Sequence, residues 1–231
     1  MLGSGQCSGP IVAFVGEAPG ETEDLTGIPF VGRAGMQLMR MIASMGLRRE
    51  DVFLTNAVLC RPEENRTPTK PEMYACHPFL TTQLSAVAPR AIVCLGKVAA
   101  ATLLQDGRAV EHLRGQWFAW DGIPVRVTYH PSFLIRPEGE GYRAHTWLDL
   151  QAVLTHLGLP IPSLEDARAR VAAIPATGWE KFVEGRVLTE VERRAIAEKK
   201  HAALAQKERE ELAQKEREAL AKKRRSNYKS H

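Results

Sequence analysis

Ile11-Val12-Ala13-Phe14-Val15-Gly16-Glu17-Ala18-Pro19-Gly20, continuing through Glu23-Asp24 to Pro29-Phe30-Val31-Gly32-Arg33-Ala34-Gly35, decides the fold. The apolar run from Ile11 to Val15 reads as a buried strand. Glycines then let the backbone turn tightly and come close to a ligand. Carboxylates and one exposed-looking phenyl ring sit on that turn. A strand that ends in a glycine-rich acidic loop is where open α/β sheets place their chemistry.

Strand and helix signals alternate onward from that stretch. Residues 36–45 carry apolar side chains at helical spacing and stop at Gly46. Residues 52–59 form a second strand, ending near Asn56 and Cys60. Residues 69–84 read as a helix, with Thr69 as N-cap and Glu72 three positions on. Residues 91–95 make a short strand, and Gly96 opens a further helix. Two strands at 117–120 and 125–128 flank Asp121-Gly122, a hairpin signal. His130-Pro131-Ser132 follows the second, and residues 146–157 close the unit as a helix. The order predicts a three-layer α/β/α sandwich around a mostly parallel sheet.

The chain has 231 residues, enough for one domain and an appendage. Residues 1–160 are expected to be the domain, 161–188 a linker of uncertain structure, and 189–231 a charged, basic tail, helical or partly disordered. The tail region contains a short repeat, Leu204-Ala205-Gln206-Lys207-Glu208-Arg209-Glu210 returning at 212–218. Residues 161–231 hold 17 Lys and Arg against 12 Asp and Glu, so the net charge of +4 belongs there. The body must hold any nucleic acid through local groups rather than net charge. The cluster Lys222-Lys223-Arg224-Arg225 suits a DNA tether or a partner-binding arm. No apolar run reaches the ~18 residues of a membrane span, and the first residues lack the pattern of a signal peptide. The expectation is an intracellular protein of the cytoplasm or nucleoid, with no membrane partner and reduced thiols.

Three loops follow strand ends: Glu17, Glu23, Asp24 and Phe30 on the first; Asn56 to Pro68 on the second; His130 to Arg136 on the third. Parallel strands would bring them to one edge of the sheet. An aromatic face stacks a planar base. An Asn side chain offers donor and acceptor together. A histidine can hydrogen-bond an oxygen that gains charge as a bond breaks. Leu134 and Ile135 could wedge into a base stack, with Ser132 and Arg136 at the phosphates. Together these groups describe a pocket for an extruded nucleobase.

The chain resembles the uracil-DNA glycosylase superfamily, and within it the iron–sulfur branch called family 4. The resemblance rests on the opening motif, Thr55-Asn56, Cys60-Arg61-Pro62, Asn65-Arg66-Thr67-Pro68, Cys76, Leu95-Gly96, Arg114-Gly115, His130-Pro131-Ser132 and Thr146-Trp147-Leu148-Asp149, in order over residues 9–157. It implies hydrolysis of the N-glycosidic bond of uracil in DNA, leaving an abasic site. It implies that Phe30 stacks on uracil, Asn56 reads its edge, and His130 stabilises the departing anion. Ala18 lines the pocket floor, and Gly20 stands where some relatives carry a bulky ring that excludes thymine. Glu17 and Glu23 are candidates for handling the water, with Asn65 a further polar contributor. The loop at 60–65 lacks the His-bearing insertion of covalent relatives, so turnover is expected. Expected partners are uracil-containing DNA and, through the tail, a replication or repair protein; the chain is expected to act as a monomer.

The resemblance also implies a [4Fe-4S] cluster held by four cysteines. Cys60 and Cys76 match two of them, and the upstream Cys-x-x-Cys pair is absent. Cys7 is a weak third candidate, and Cys94 reads as a core thiol. Three accounts remain open: a start further upstream, a lost cluster, or Cys7 recruited with a non-protein ligand. Two other functions also stay open: a non-catalytic DNA-recognition module of a larger machine, and a glycosylase of the same fold for another deaminated base.

Overall fold

The computed structural model describes residues 1–174 of the chain. The tail expected at 189–231 and the later part of the linker expected at 161–188 lie outside the described residues. One six-stranded sheet organises the rest, in the order β1-β3-β2-β4-β6-β5. Its strands are β1 (Ser4–Gly5), β2 (Val12–Gly16), β3 (Val52–Asn56), β4 (Ile92–Leu95), β5 (Trp117–Trp120) and β6 (Ile123–Thr128). The four inner strands are parallel, and the edge strands β1 and β5 are antiparallel to their neighbours. The expected mostly parallel sheet is therefore present.

The helices are α1 (Glu21–Thr26), α2 (Arg33–Ser44), α3 (Lys70–Val87), α4 (Gly96–Leu104), α5 (Val110–Leu113), α6 (Pro131–Leu134), α7 (Arg143–His156) and α8 (Leu164–Ala172). The step from β2 to β3 runs one way along the sheet, and the step from β3 to β4 runs back past β2. Right-handed crossovers then put α2 on one face and α3 with α4 on the other. That reversal is the kind of switch point at which such sheets open a crevice. Every residue of β2, β3 and β4 is buried, as strands covered on both faces must be.

Local chemistry explains the boundaries. Glu72 accepts hydrogen bonds from the Thr69 amide at 2.7 Å and the Thr69 hydroxyl at 2.9 Å, fixing the start of α3. Asp121 and Gly122 both take positive φ, 48° and 77°, as the tight β5–β6 hairpin requires. α8 falls inside the stretch expected to be linker. It packs against α2 and buries Ala167, so the compact body extends past residue 160. Among the described residues no helix is long and apolar enough to cross a membrane.

Candidate functional site

Gly16, the last residue of β2, is the centre of the site. A Cβ built there would collide with the Asn56 carboxamide oxygen and with the tip of the Phe30 ring. Glycine thus lets a ring and a carboxamide from two loops meet at one strand end. The strand register pairs Gly16 with Asn56, and the Ala57 amide donates to the Gly16 carbonyl at 2.9 Å. Asn56 is buried, yet its carboxamide makes no hydrogen bond with another described residue.

Phe30 was expected to look outward. Its ring is instead packed against Gly16 and only 6% exposed. Its backbone sits at φ 57°, a left-handed conformation that costs a non-glycine residue about 1–2 kcal/mol. Its neighbours hold it there. Glu23 Oε1 accepts from the Val31 amide at 3.0 Å and the Gly32 amide at 2.7 Å. The Arg49 guanidinium donates to the Pro29 carbonyl at 2.7 Å. Gly35 is needed because a Cβ would strike the Phe30 carbonyl.

His130 follows β6 and caps α6. Its Nδ1 accepts from the Ser132 amide at 3.2 Å and lies 2.7 Å from the Ser132 hydroxyl. Burial, with the nearby positive charge of Arg136, pushes its pKa down to about 4. The ring is therefore neutral at pH 7, with its proton on Nε2, and it presents a donor without carrying a charge. Gly96, at φ 87°, makes room: its Cβ would lie 3.0 Å from that of His130. Glu17 carries a carboxyl raised above its ordinary range by burial, with Arg136 acting the other way. No hydrogen bond engages the Glu17 carboxylate among the described residues.

Several expected residues stand differently. Glu23 is buried and committed to the loop amides, which makes it a positioning group rather than a free base. Asn65 is exposed, and its side chain accepts from Arg61 Nε at 2.8 Å. Leu134 is 1% exposed within the core, so it is not available as a wedge. Ile135 is partly buried and Arg136 exposed, leaving these two at the surface end of the loop. Ala18 and Gly20 are half-buried; a Cβ on Gly20 would lie 2.8 Å from Glu23 Oε2.

A network that the sequence did not disclose supports the strand beneath His130. Asp149 on α7 accepts from Arg114 Nε at 3.1 Å, Arg126 Nη2 at 3.0 Å and the Thr128 hydroxyl at 2.9 Å. Arg126 also lies over the Trp117 ring, 5.4 Å from its centroid. Buried arginines on a strand read as surface charge until their partner on a distant helix is known.

The four cysteines are free and lie in different settings. Cys7 and Cys60 are exposed, Cys76 lies half-buried on α3, and Cys94 is buried in β4. Burial pushes the Cys94 thiol up to about 12, the behaviour of a core residue. Among the described residues no three His, Cys, Asp or Glu side chains come together to hold a metal ion.

A family model described as the uracil DNA glycosylase superfamily matches residues 3–151. The chain is 44% identical over 154 residues to a type-4 uracil-DNA glycosylase of Thermotoga maritima, a match covering 65% of this chain and 79% of the relative. A type-4 uracil-DNA glycosylase of Archaeoglobus fulgidus is 45% identical over 136 residues, 55% of this chain and 68% of its own. A type-5 uracil-DNA glycosylase of Pyrobaculum aerophilum is 35% identical over 138 residues, 52% and 61% respectively.

Proposed function

The chain belongs to the uracil DNA glycosylase superfamily, and from that membership we propose that it is a DNA-repair hydrolase that cleaves the N-glycosidic bond of uracil flipped out of DNA. The observation that carries the reading is the meeting of the Phe30 ring and the unbonded Asn56 carboxamide at Gly16. A base stacked on Phe30 would satisfy that carboxamide through its Watson–Crick edge. Uracil fits, because an Asn side chain can donate to a carbonyl and accept from the adjacent ring N–H.

Bond cleavage sends the glycosidic electron pair into the uracil ring, where charge collects on its oxygens. The neutral His130 donates from Nε2 to O2 as that charge develops. Its neutrality helps, since an imidazolium would be a costly charge in this buried place. Water then adds at the sugar C1′, and its proton passes to solvent or to Glu17. Glu17 is the carboxylate left free for that task, because Glu23 is held by the Phe30 loop. Arg136 offers a phosphate contact at the rim. Cys60 and Cys76 enter no step. The basic cluster at residues 222–225 would tether the enzyme to DNA or to a replication or repair protein. In this reading the enzyme is a monomer acting within the cell.

Single- and double-stranded oligonucleotides carrying uracil, hypoxanthine or no lesion test this reading, with alkali to cleave abasic sites. Uracil strands should be cut at the lesion and the others left whole. Asn56→Asp should abolish uracil release or turn it toward cytosine, and His130→Ala should slow it by about 10²-fold or more. No release from uracil strands would refute the proposal.

A further inference from the structure

Phe30 is gripped on both sides of its strained backbone, and only one grip lies within the opening motif. Arg49 is the other. It opens the short turn Arg49–Asp51 before β3, nineteen positions from Phe30. Its neighbour Arg48 is exposed and paired with Glu50 and Asp51, as an ordinary surface arginine would be. Arg49 instead turns inward. Its Nη2 donates both hydrogens, to the Pro29 carbonyl at 2.7 Å and to the Ser4 hydroxyl on β1 at 3.2 Å. Its Nη1 lies 3.8 Å from Met39 Sδ on α2.

We propose that Arg49 is a positioning residue that holds the Phe30 ring in place for the stacked base, by fixing the carbonyl of Pro29. The inference rests on the reading above, in which Phe30 stacks on uracil. Glu23 fixes the amides after Phe30, and Arg49 fixes the carbonyl before it. Between these two anchors the left-handed backbone has no room to relax. A guanidinium suits the task because one nitrogen can serve two acceptors in a fixed plane. Burying it has a cost, seen in a pKa lowered to about 10 and partly offset by the charge of Glu23. The charge of Glu23 thus eases the burial of Arg49.

A double-mutant cycle between Arg49→Met and Phe30→Ala distinguishes positioning from general support. The readouts are inhibition by free uracil and single-turnover cleavage. Arg49→Met should weaken uracil inhibition about 10-fold with Phe30 present and less than 2-fold in the Phe30→Ala background. Arg49→Lys keeps a donor and should recover most of the loss; Arg49→Gln carries the cycle if Arg49→Met does not fold. Equal losses in both backgrounds, or unchanged uracil inhibition, would overturn the proposal. Amide exchange gives a readout independent of activity: Val31 and Gly32 should exchange faster in Arg49→Met or Arg49→Gln and little changed in Arg49→Lys, and unchanged protection in the first two would overturn the role. If the unsubstituted chain released no uracil, the functional reading would fail, whereas the exchange result would still decide whether Arg49 holds the loop.

Discussion

Replacing Glu23 separates two roles that a carboxylate in this loop could play. In Glu23→Ala the Val31 and Gly32 amides lose a charged acceptor at 3.0 and 2.7 Å. Hydrogen bonds to charged groups contribute roughly 1.5–3 kcal/mol each, so the gross loss is about 3–6 kcal/mol. Release of Phe30 from its left-handed conformation returns about 1–2 kcal/mol of strain. The net is about 3 kcal/mol, which lowers Tm by roughly 6–12 °C in a domain of this size. A ring displaced by about 1 Å costs on the order of 10²-fold in rate. Glu23→Gln behaves differently. Its amide oxygen can still accept from both N–H groups, and only the charge assistance is lost, about half of the gross figure or roughly 1.5–3 kcal/mol. Single-turnover uracil release by Glu23→Gln should stay within about 5-fold of the unsubstituted enzyme. Calorimetry and gel-based cleavage on the same preparations make the comparison. Loss of activity in Glu23→Gln at an unchanged Tm would mean that Glu23 handles the proton, and the positioning argument would fall.

Three further outcomes follow from the geometry. The His130 pKa of about 4 lies below its ordinary 6.5, so the unfolded chain binds a proton that the native state refuses between those values. Stability should fall by about 3 kcal/mol as pH drops from 6.5 to 4, and His130→Gln should flatten that part of a Tm-against-pH curve; Glu17, with its raised carboxyl, acts in the opposite sense just above its ordinary value and is unchanged in the comparison. Removing Asp149 as Asp149→Ala leaves Arg114, Arg126 and Thr128 without their shared acceptor and should cost about 3–5 kcal/mol in urea unfolding, against roughly 1 kcal/mol for Thr128→Val; similar costs for both would refute the picture of Asp149 as the hub. Iron and labile sulfide assayed after anaerobic reconstitution should stay well below four per chain, because no three metal-binding side chains come together among the described residues; a full complement would refute this expectation.

Much of the sheet was readable because β2, β3 and β4 are apolar runs closed by a polar or glycine residue, and the Asp121-Gly122 turn marks where β6 begins. Gly16, Asn56 and His130 could be placed at strand ends for that reason. The N-cap pair Thr69 and Glu72 and the Asp121-Gly122 hairpin were equally local, and local chemistry determined them. The structure departs from expectation where an outcome depends on distant partners. Leu134 looked like a wedge because its neighbours are apolar and it follows the histidine, yet the packing of the core claims it. Asn65 looked like a pocket residue by its place in a motif, but Arg61 holds it at the surface. α8 was missed because its short, charged sequence carries a weak helical signal, and packing on α2 fixes it. Arg49 and Asp149 were unreadable for the same reason: each is defined by groups far along the chain.

The 2.8 Å gap between a would-be side chain at position 20 and the Glu23 carboxylate has an evolutionary consequence. A side chain introduced there would press on Oε2, the free oxygen of Glu23, while Oε1 accepts from the Val31 and Gly32 amides. Bulk at position 20 and the hold on the Phe30 loop thus meet at one carboxylate. A lineage that gains bulk at position 20 would have to turn the Glu23 carboxylate while keeping Oε1 on the loop amides. Positions 20 and 23 should therefore vary together.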